Sequence, residues 1–220
     1  MPTRARRAHV VLATVAVVLL SPASVAAQDR GVWEVGAQVM GSPVPSRPDF
    51  FFGGQAAGIR QTALSLLAST DLLHVGPMHL RYSVQLLPAM LLTGAERYQK
   101  LDSDGRTIYV VGGTTRALGI GFVPLGLALS ADLGRRVRAQ VGTAAGIMRF
   151  SRNIPVAGAR QRNFSAELDA ALMLNAGHDR WVQLGVRWKH ISNGFTAYEN
   201  PGIDNRMIFA GFSTILRTSH

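Results

Sequence analysis

Apolar and polar residues alternate with period two over unusually long stretches of this chain, and this constrains the fold more than any other feature. In Met78 to Leu86, the residues Met78, Leu80, Tyr82, Val84 and Leu86 take one face, and His79, Arg81, Ser83 and Gln85 take the other. Side chains two residues apart share a face only in an extended strand, so this pattern specifies β-structure. It recurs in Trp33, Val35, Ala37, Val39, in Val137, Ala139, Val141, Thr143, in Phe164, Ala166, Leu168, Ala170, Leu172, and in Val182, Leu184, Val186, Trp188. Eight such segments are predicted, near 31–40, 59–73, 78–92, 114–130, 137–149, 162–175, 180–191 and 206–217. Most exceed the five or six residues usual in soluble sheets and reach the roughly 9–11 that a tilted strand needs to cross a bilayer.

The connections give a second signal. Long gaps (41–58, 93–113, 150–161, 192–205) alternate with short ones such as His74-Val75-Gly76-Pro77 and Ala176-Gly177-His178-Asp179. Long loops at one end and tight turns at the other are the layout of an all-β, eight-stranded antiparallel up-and-down transmembrane β-barrel. Each strand is then expected to show its apolar face to lipid and its polar face to a small lumen. A soluble barrel around an apolar cavity fits the same alternation with the faces exchanged.

The N-terminus reads as a leader. Met1 to Arg7 is basic, Val10 to Leu20 is apolar but short, and Ser24-Val25-Ala26-Ala27 supplies small residues at a cleavage position. Residues 1–27 are therefore predicted to be a signal peptide and 28–220 the barrel domain. The formal charge is +10, and setting aside Arg4, Arg6 and Arg7 leaves +7 on the barrel. Export directs that surplus away from nucleic acid and toward a phosphate-bearing membrane surface. With no cysteine, disulfides and thiolate chemistry are excluded. His74, His79 and His178 have no metal-ligand spacing, so neither a metal nor another cofactor is expected. One departure from barrel habit is the C-terminus, Ile215-Leu216-Arg217-Thr218-Ser219-His220, which lacks a terminal aromatic residue.

Chemistry concentrates at the end of the seventh segment. His190 and Ser192 follow Val186 and Trp188 on the apolar face, aimed at lipid, where unpaired polar groups are costly. Two residues apart on one strand face, their Cα atoms are separated by about 6.6–6.8 Å, close enough for imidazole and hydroxyl to interact. The plain alternative is that both mark the membrane interface, where strands become loops.

The stretch His190-Ile191-Ser192-Asn193-Gly194, followed by Asn200-Pro201-Gly202-Ile203-Asp204, resembles the lipid A 3-O-deacylase family of outer-membrane barrels. That family has a His-x-Ser-Asn segment closing the seventh strand and an Asn-x-Gly-Ile-acid segment one loop later. Gly119 to Gly126 and Asn163-Phe164 match its layout more loosely.

The resemblance implies Ser192 as nucleophile, His190 as general base and then acid, and Asp204 as the carboxylate that orients the imidazole. Asn193 and the Gly194 N–H are the implied oxyanion donors, and Asn200 with Gly202 shapes the loop. The family usually has glutamate where this chain has Asp204, so Glu199 is a second candidate for the acid. Lipid A, as part of lipopolysaccharide in the outer membrane, is the implied substrate, and Arg97, Lys100, Arg106, Arg152 and Arg160 would suit its phosphates. A non-enzymatic barrel serving adhesion or envelope stability is the competing reading, and a soluble lipid carrier is a third.

Overall fold

The computed structural model describes residues 32–48 and 53–217. The predicted leader lies outside the described residues. Eight strands follow in order: β1 (Val32–Gly41), β2 (Ala56–Val75), β3 (Met78–Leu101), β4 (Thr107–Asp132), β5 (Val137–Ile154), β6 (Arg160–Gly177), β7 (Arg180–Ser192) and β8 (Ile203–Arg217). Each pairs antiparallel with its sequence neighbour, and β1 pairs with β8 to close the barrel. Closure leaves no ladder edge unpaired, which a sheet surrounded by hydrocarbon requires.

The faces fall as the alternation predicts. Leu66, Leu86, Leu129, Val141, Ile147, Leu172, Leu184, Val186, Ile208 and Phe212 point outward and are exposed around the whole circumference. An apolar belt of this extent is untenable in water, so its solvent is lipid. Inside, Glu34, Gln38, Arg81, Gln85, Glu167, Gln183, Arg187 and Lys189 are all buried. They are paired: Arg81 Nη2 reaches Glu34 Oε2 at 2.7 Å, Arg187 Nη1 reaches Glu167 Oε2 at 3.1 Å, and Lys189 Nζ donates to Glu167 Oε1. A lumen filled by ion pairs is the inverse of a soluble barrel with an apolar cavity, and that alternative is set aside.

The interior departs from expectation in one respect. Toward the loop end the polar lumen gains an apolar plug of Met40, Leu87, Met90, Met148, Phe150, Ile191 and Met207, alongside the buried Gln61, Asn163, Lys189 and Asn205. On β5 the phase of the alternation inverts there, with Met148 and Phe150 turned inward and Arg149 and Ser151 outward. Water replaces lipid outside at that level, so the outer face becomes polar and the enclosed face closes by apolar packing.

Several boundaries also move. The expected loop 93–113 is mostly strand, because the β3–β4 ladder continues to the pair Leu101 and Thr107. A tight turn ends it, in which Asp102 Oδ1 accepts the N–H groups of Asp104 and Arg106 at 2.9 and 2.8 Å. β8 begins at Ile203, not near 206, which takes Asp204 out of the loop and into the ladder. At the opposite end, His178 and Asp179 both have positive φ (50° and 60°), the geometry of a two-residue hairpin turn.

Candidate active site

The end of β7 is oriented by the residue between the two candidates. Ile191 is turned into the plug at 1% exposure, beside its β8 register partner Ile203 at 0%. With Ile191 anchored inward, strand geometry directs His190 and Ser192 to the outer face, the same face as Trp188 and Val186.

On that face His190 sits directly opposite Asp204 in the β7–β8 register. The imidazole Nδ1 lies 2.6 Å from Asp204 Oδ1, a short charge-assisted contact. The second carboxylate oxygen, Oδ2, accepts the backbone N–H of Gly54 at 2.7 Å. Both oxygens are thus satisfied although the side chain is almost wholly buried, at 1% exposure against 16% for His190. With Nδ1 facing the carboxylate, Nε2 is the ring nitrogen on the side away from Asp204.

Two glycines make room for this pair. A Cβ on Gly54 would stand 2.5 Å from Asp204 Cγ, and one on Gly202, at φ 60°, would stand 2.9 Å from His190 Cε1. Only a residue without a side chain fits at either place. Gly202 belongs to the segment quoted from the sequence. The part played by Gly54, 150 residues before its partner, was not foreseen. The Gly53-Gly54 doublet before β2 is the one local sign of a close backbone approach.

Ser192 lies two residues beyond His190 on the same outward face, with Phe164 of β6 as its register partner. His190 and Asp204 are therefore brought together by a hydrogen bond, and Ser192 by its place on the strand. Glu199 is held elsewhere: its Oε1 accepts the Tyr98 hydroxyl at 3.0 Å. Burial, with the Glu199 hydrogen bond and charge adding to it, pushes the Tyr98 phenol up from its ordinary value.

Asn193 is the hub of the following loop. Its backbone N–H donates to Asn200 Oδ1 at 2.8 Å, its side-chain Nδ2 donates to Glu199 O at 2.7 Å, and its carbonyl accepts the Thr196 hydroxyl at 2.7 Å. Asn200 thus acts through Asn193, shaping the loop. Gly194, at φ 63°, turns the chain against the Phe164 ring.

A charged side chain also stands close by on the lipid face. Arg206 Cζ lies 5.2 Å above the Trp188 ring, one residue pair inward from His190 and Asp204.

Fold and site together define a class: an eight-stranded membrane barrel with a part-buried histidine–carboxylate pair on its lipid-facing rim. Within that class the model of the lipid A 3-O-deacylase (PagL) family matches residues 80–213, more than half of the chain. The chain belongs to this family, and its place is the outer membrane. Comparison with curated proteins gives no match.

Among solved structures, the crystal structure of the outer membrane enzyme PagL aligns with 17% identity and a TM-score of 0.49, covering 81% of this chain and 97% of that one. Neisserial surface protein A aligns with 11% identity and a TM-score of 0.45, covering 84% and 99%. Ail, the attachment invasion locus protein of Yersinia pestis, aligns with 10% identity and a TM-score of 0.42, also covering 84% and 99%.

Proposed function

We propose that this protein is a serine esterase that hydrolyses the 3-O-linked acyl chain of lipid A in the outer leaflet, releasing a 3-hydroxy fatty acid. The observation that carries the reading is the 2.6 Å contact between His190 Nδ1 and Asp204 Oδ1 on the lipid-facing rim, with Ser192 two residues along the same face.

In this reading Ser192 Oγ attacks the ester carbonyl carbon while His190 Nε2 takes the hydroxyl proton. Asp204 holds the ring with Nε2 outward and stabilises the imidazolium. The oxyanion of the tetrahedral intermediate is met by the Gly194 N–H and by the second amide hydrogen of Asn193, whose first is engaged by Glu199 O. Collapse breaks the C–O bond to the sugar, and Nε2 returns its proton to the departing 3-hydroxyl. Water then attacks the acyl-enzyme with His190 as base, freeing the fatty acid and regenerating Ser192.

The site faces sideways into the membrane, so the ester reaches it without leaving the leaflet. Refolded protein incubated with lipopolysaccharide is expected to release 3-hydroxy fatty acid. Ser192→Ala and His190→Ala are each expected to abolish release while the barrel stays folded, read from its heat-dependent mobility on a gel. No release by the unmodified protein would leave a non-enzymatic envelope barrel as the reading.

A further inference from the structure

A groove of about 870 Å³ runs over the outside of the barrel across β3, β4, β5 and β6. Its floor follows one row of register partners, Leu86 opposite Phe122, Phe122 opposite Ile147 and Ile147 opposite Phe164, and the same row continues past the groove to Ser192, opposite Phe164. At about 4.8 Å per strand the row extends roughly 19 Å, and its last member is the proposed nucleophile.

One side-chain step toward the loop end stand Arg149 and Arg162, directly opposite each other on β5 and β6, both exposed and both lining the groove. Like charges paired across a ladder repel. Neither guanidinium makes a hydrogen bond or ion pair with a described residue, and Phe164 and Ile147 adjoin them on the lipid side. Arg160 also lines the groove and donates from Nε to Thr196 O at 2.9 Å, tying the loop after β7 to the groove wall.

Two facing guanidinium groups at the upper edge of a hydrocarbon-lined slot are complementary to an anion carrying an acyl chain. We infer that Arg149 and Arg162 jointly bind a phosphate of lipid A and thereby seat one of its acyl chains along the Phe122–Ile147–Phe164 row, placing the ester at Ser192. This deepens the esterase reading and rests on it. It assigns substrate positioning to two strand residues that touch neither His190 nor Asp204.

The test separates the two claims by measuring binding in a background that cannot turn over. Ser192→Ala protein, with and without Arg149→Gln and Arg162→Gln, is reconstituted in phosphatidylcholine nanodiscs and titrated with bisphosphorylated lipid A, dephosphorylated lipid A and phosphatidylglycerol, with inorganic phosphate as competitor. The glutamine pair is expected to weaken bisphosphorylated lipid A about ten- to thirtyfold, and to change the other two lipids by less than about twofold. Arg149→Lys with Arg162→Lys should recover most of the loss, which a purely structural defect would not allow.

In active protein the glutamine pair should raise KM about tenfold with kcat within about twofold. Unchanged binding of bisphosphorylated lipid A overturns the inference. So does an equal loss for dephosphorylated lipid A or phosphatidylglycerol, which would mark a general membrane anchor, or displacement by inorganic phosphate alone. If the unmodified protein releases no fatty acid, the esterase reading fails and the binding titrations still decide this one.

Discussion

Replacing Asp204 by asparagine tests the site with the least change in shape. In the native arrangement one carboxylate oxygen faces His190 Nδ1 at 2.6 Å and the other accepts the Gly54 N–H at 2.7 Å. An amide cannot reproduce both contacts. With its oxygen toward Gly54, its NH2 faces Nδ1 and forces the ring into the tautomer that carries the proton on Nε2, where a base cannot work. With its oxygen toward Nδ1, its NH2 meets the Gly54 N–H, donor against donor, and the imidazolium has lost its countercharge.

The equivalent substitution in the serine protease triad lowers kcat about 10⁴-fold, and a fall of about 10³–10⁴ in kcat, with KM nearly unchanged, is expected here. Release of 3-hydroxy fatty acid from lipid A in mixed micelles, quantified by mass spectrometry, gives both constants. Glu199→Gln is the control: its carboxylate bonds Tyr98, so kcat should fall by less than about fivefold. Retention of more than about a tenth of the activity by Asp204→Asn, or an equal loss in Glu199→Gln, would refute the assignment of Asp204 as the orienting acid.

The lumen and the turn-end rim give two further predictions. Glu167→Gln leaves Lys189, at 0% exposure, without its carboxylate, and should destabilise the barrel by about 3–5 kcal/mol in urea titrations followed by tryptophan fluorescence. Lys189→Met should cost less, because Arg187 still pairs with Glu167 at 3.1 Å; equal losses would contradict this pairing. At the turn end, burial alone would raise the Asp132 carboxyl, but the Arg138 guanidinium at 2.6 Å and His79 at 3.2 Å outweigh it and hold the group below the usual carboxylate range. A lowered folded value means stability that is present above about pH 4 and lost as pH falls below it, so Asp132→Asn should lower stability at neutral pH and flatten the acid limb of the profile, the two proteins converging in acid.

The outward aim of His190 and Ser192 was legible from alternation alone, because Ile191 between them is a residue that belongs inside. The contact with Asp204 was not. It depends on the register of β7 against β8, which is set by how ten loop residues, 193–202, fold back around Asn193. Reading the apolar pattern from Met207 onward placed the start of β8 too late and left Asp204 in the loop. The Gly54 contact was further out of reach, since it joins the end of the first loop to the start of β8 and leaves no periodicity in either. The β3–β4 extension escaped for a related reason: beyond Thr93 and before Arg116 the outer face no longer touches lipid, so the alternation that marks a membrane strand disappears while the ladder continues.

That loss of alternation itself carries positional information. Outward-facing Phe164 and Ile147 are the last apolar partners on their strands, and the next outward residues toward the loops are Arg162 and Arg149. The boundary between hydrocarbon and headgroup is therefore written between those two rows. Ser192 lies on the apolar row, opposite Phe164, and β7 ends there. In the proposed reading its hydroxyl therefore stands beside the place on β5 and β6 where apolar side chains give way to arginine, as an ester joining an acyl chain to a phosphorylated sugar requires.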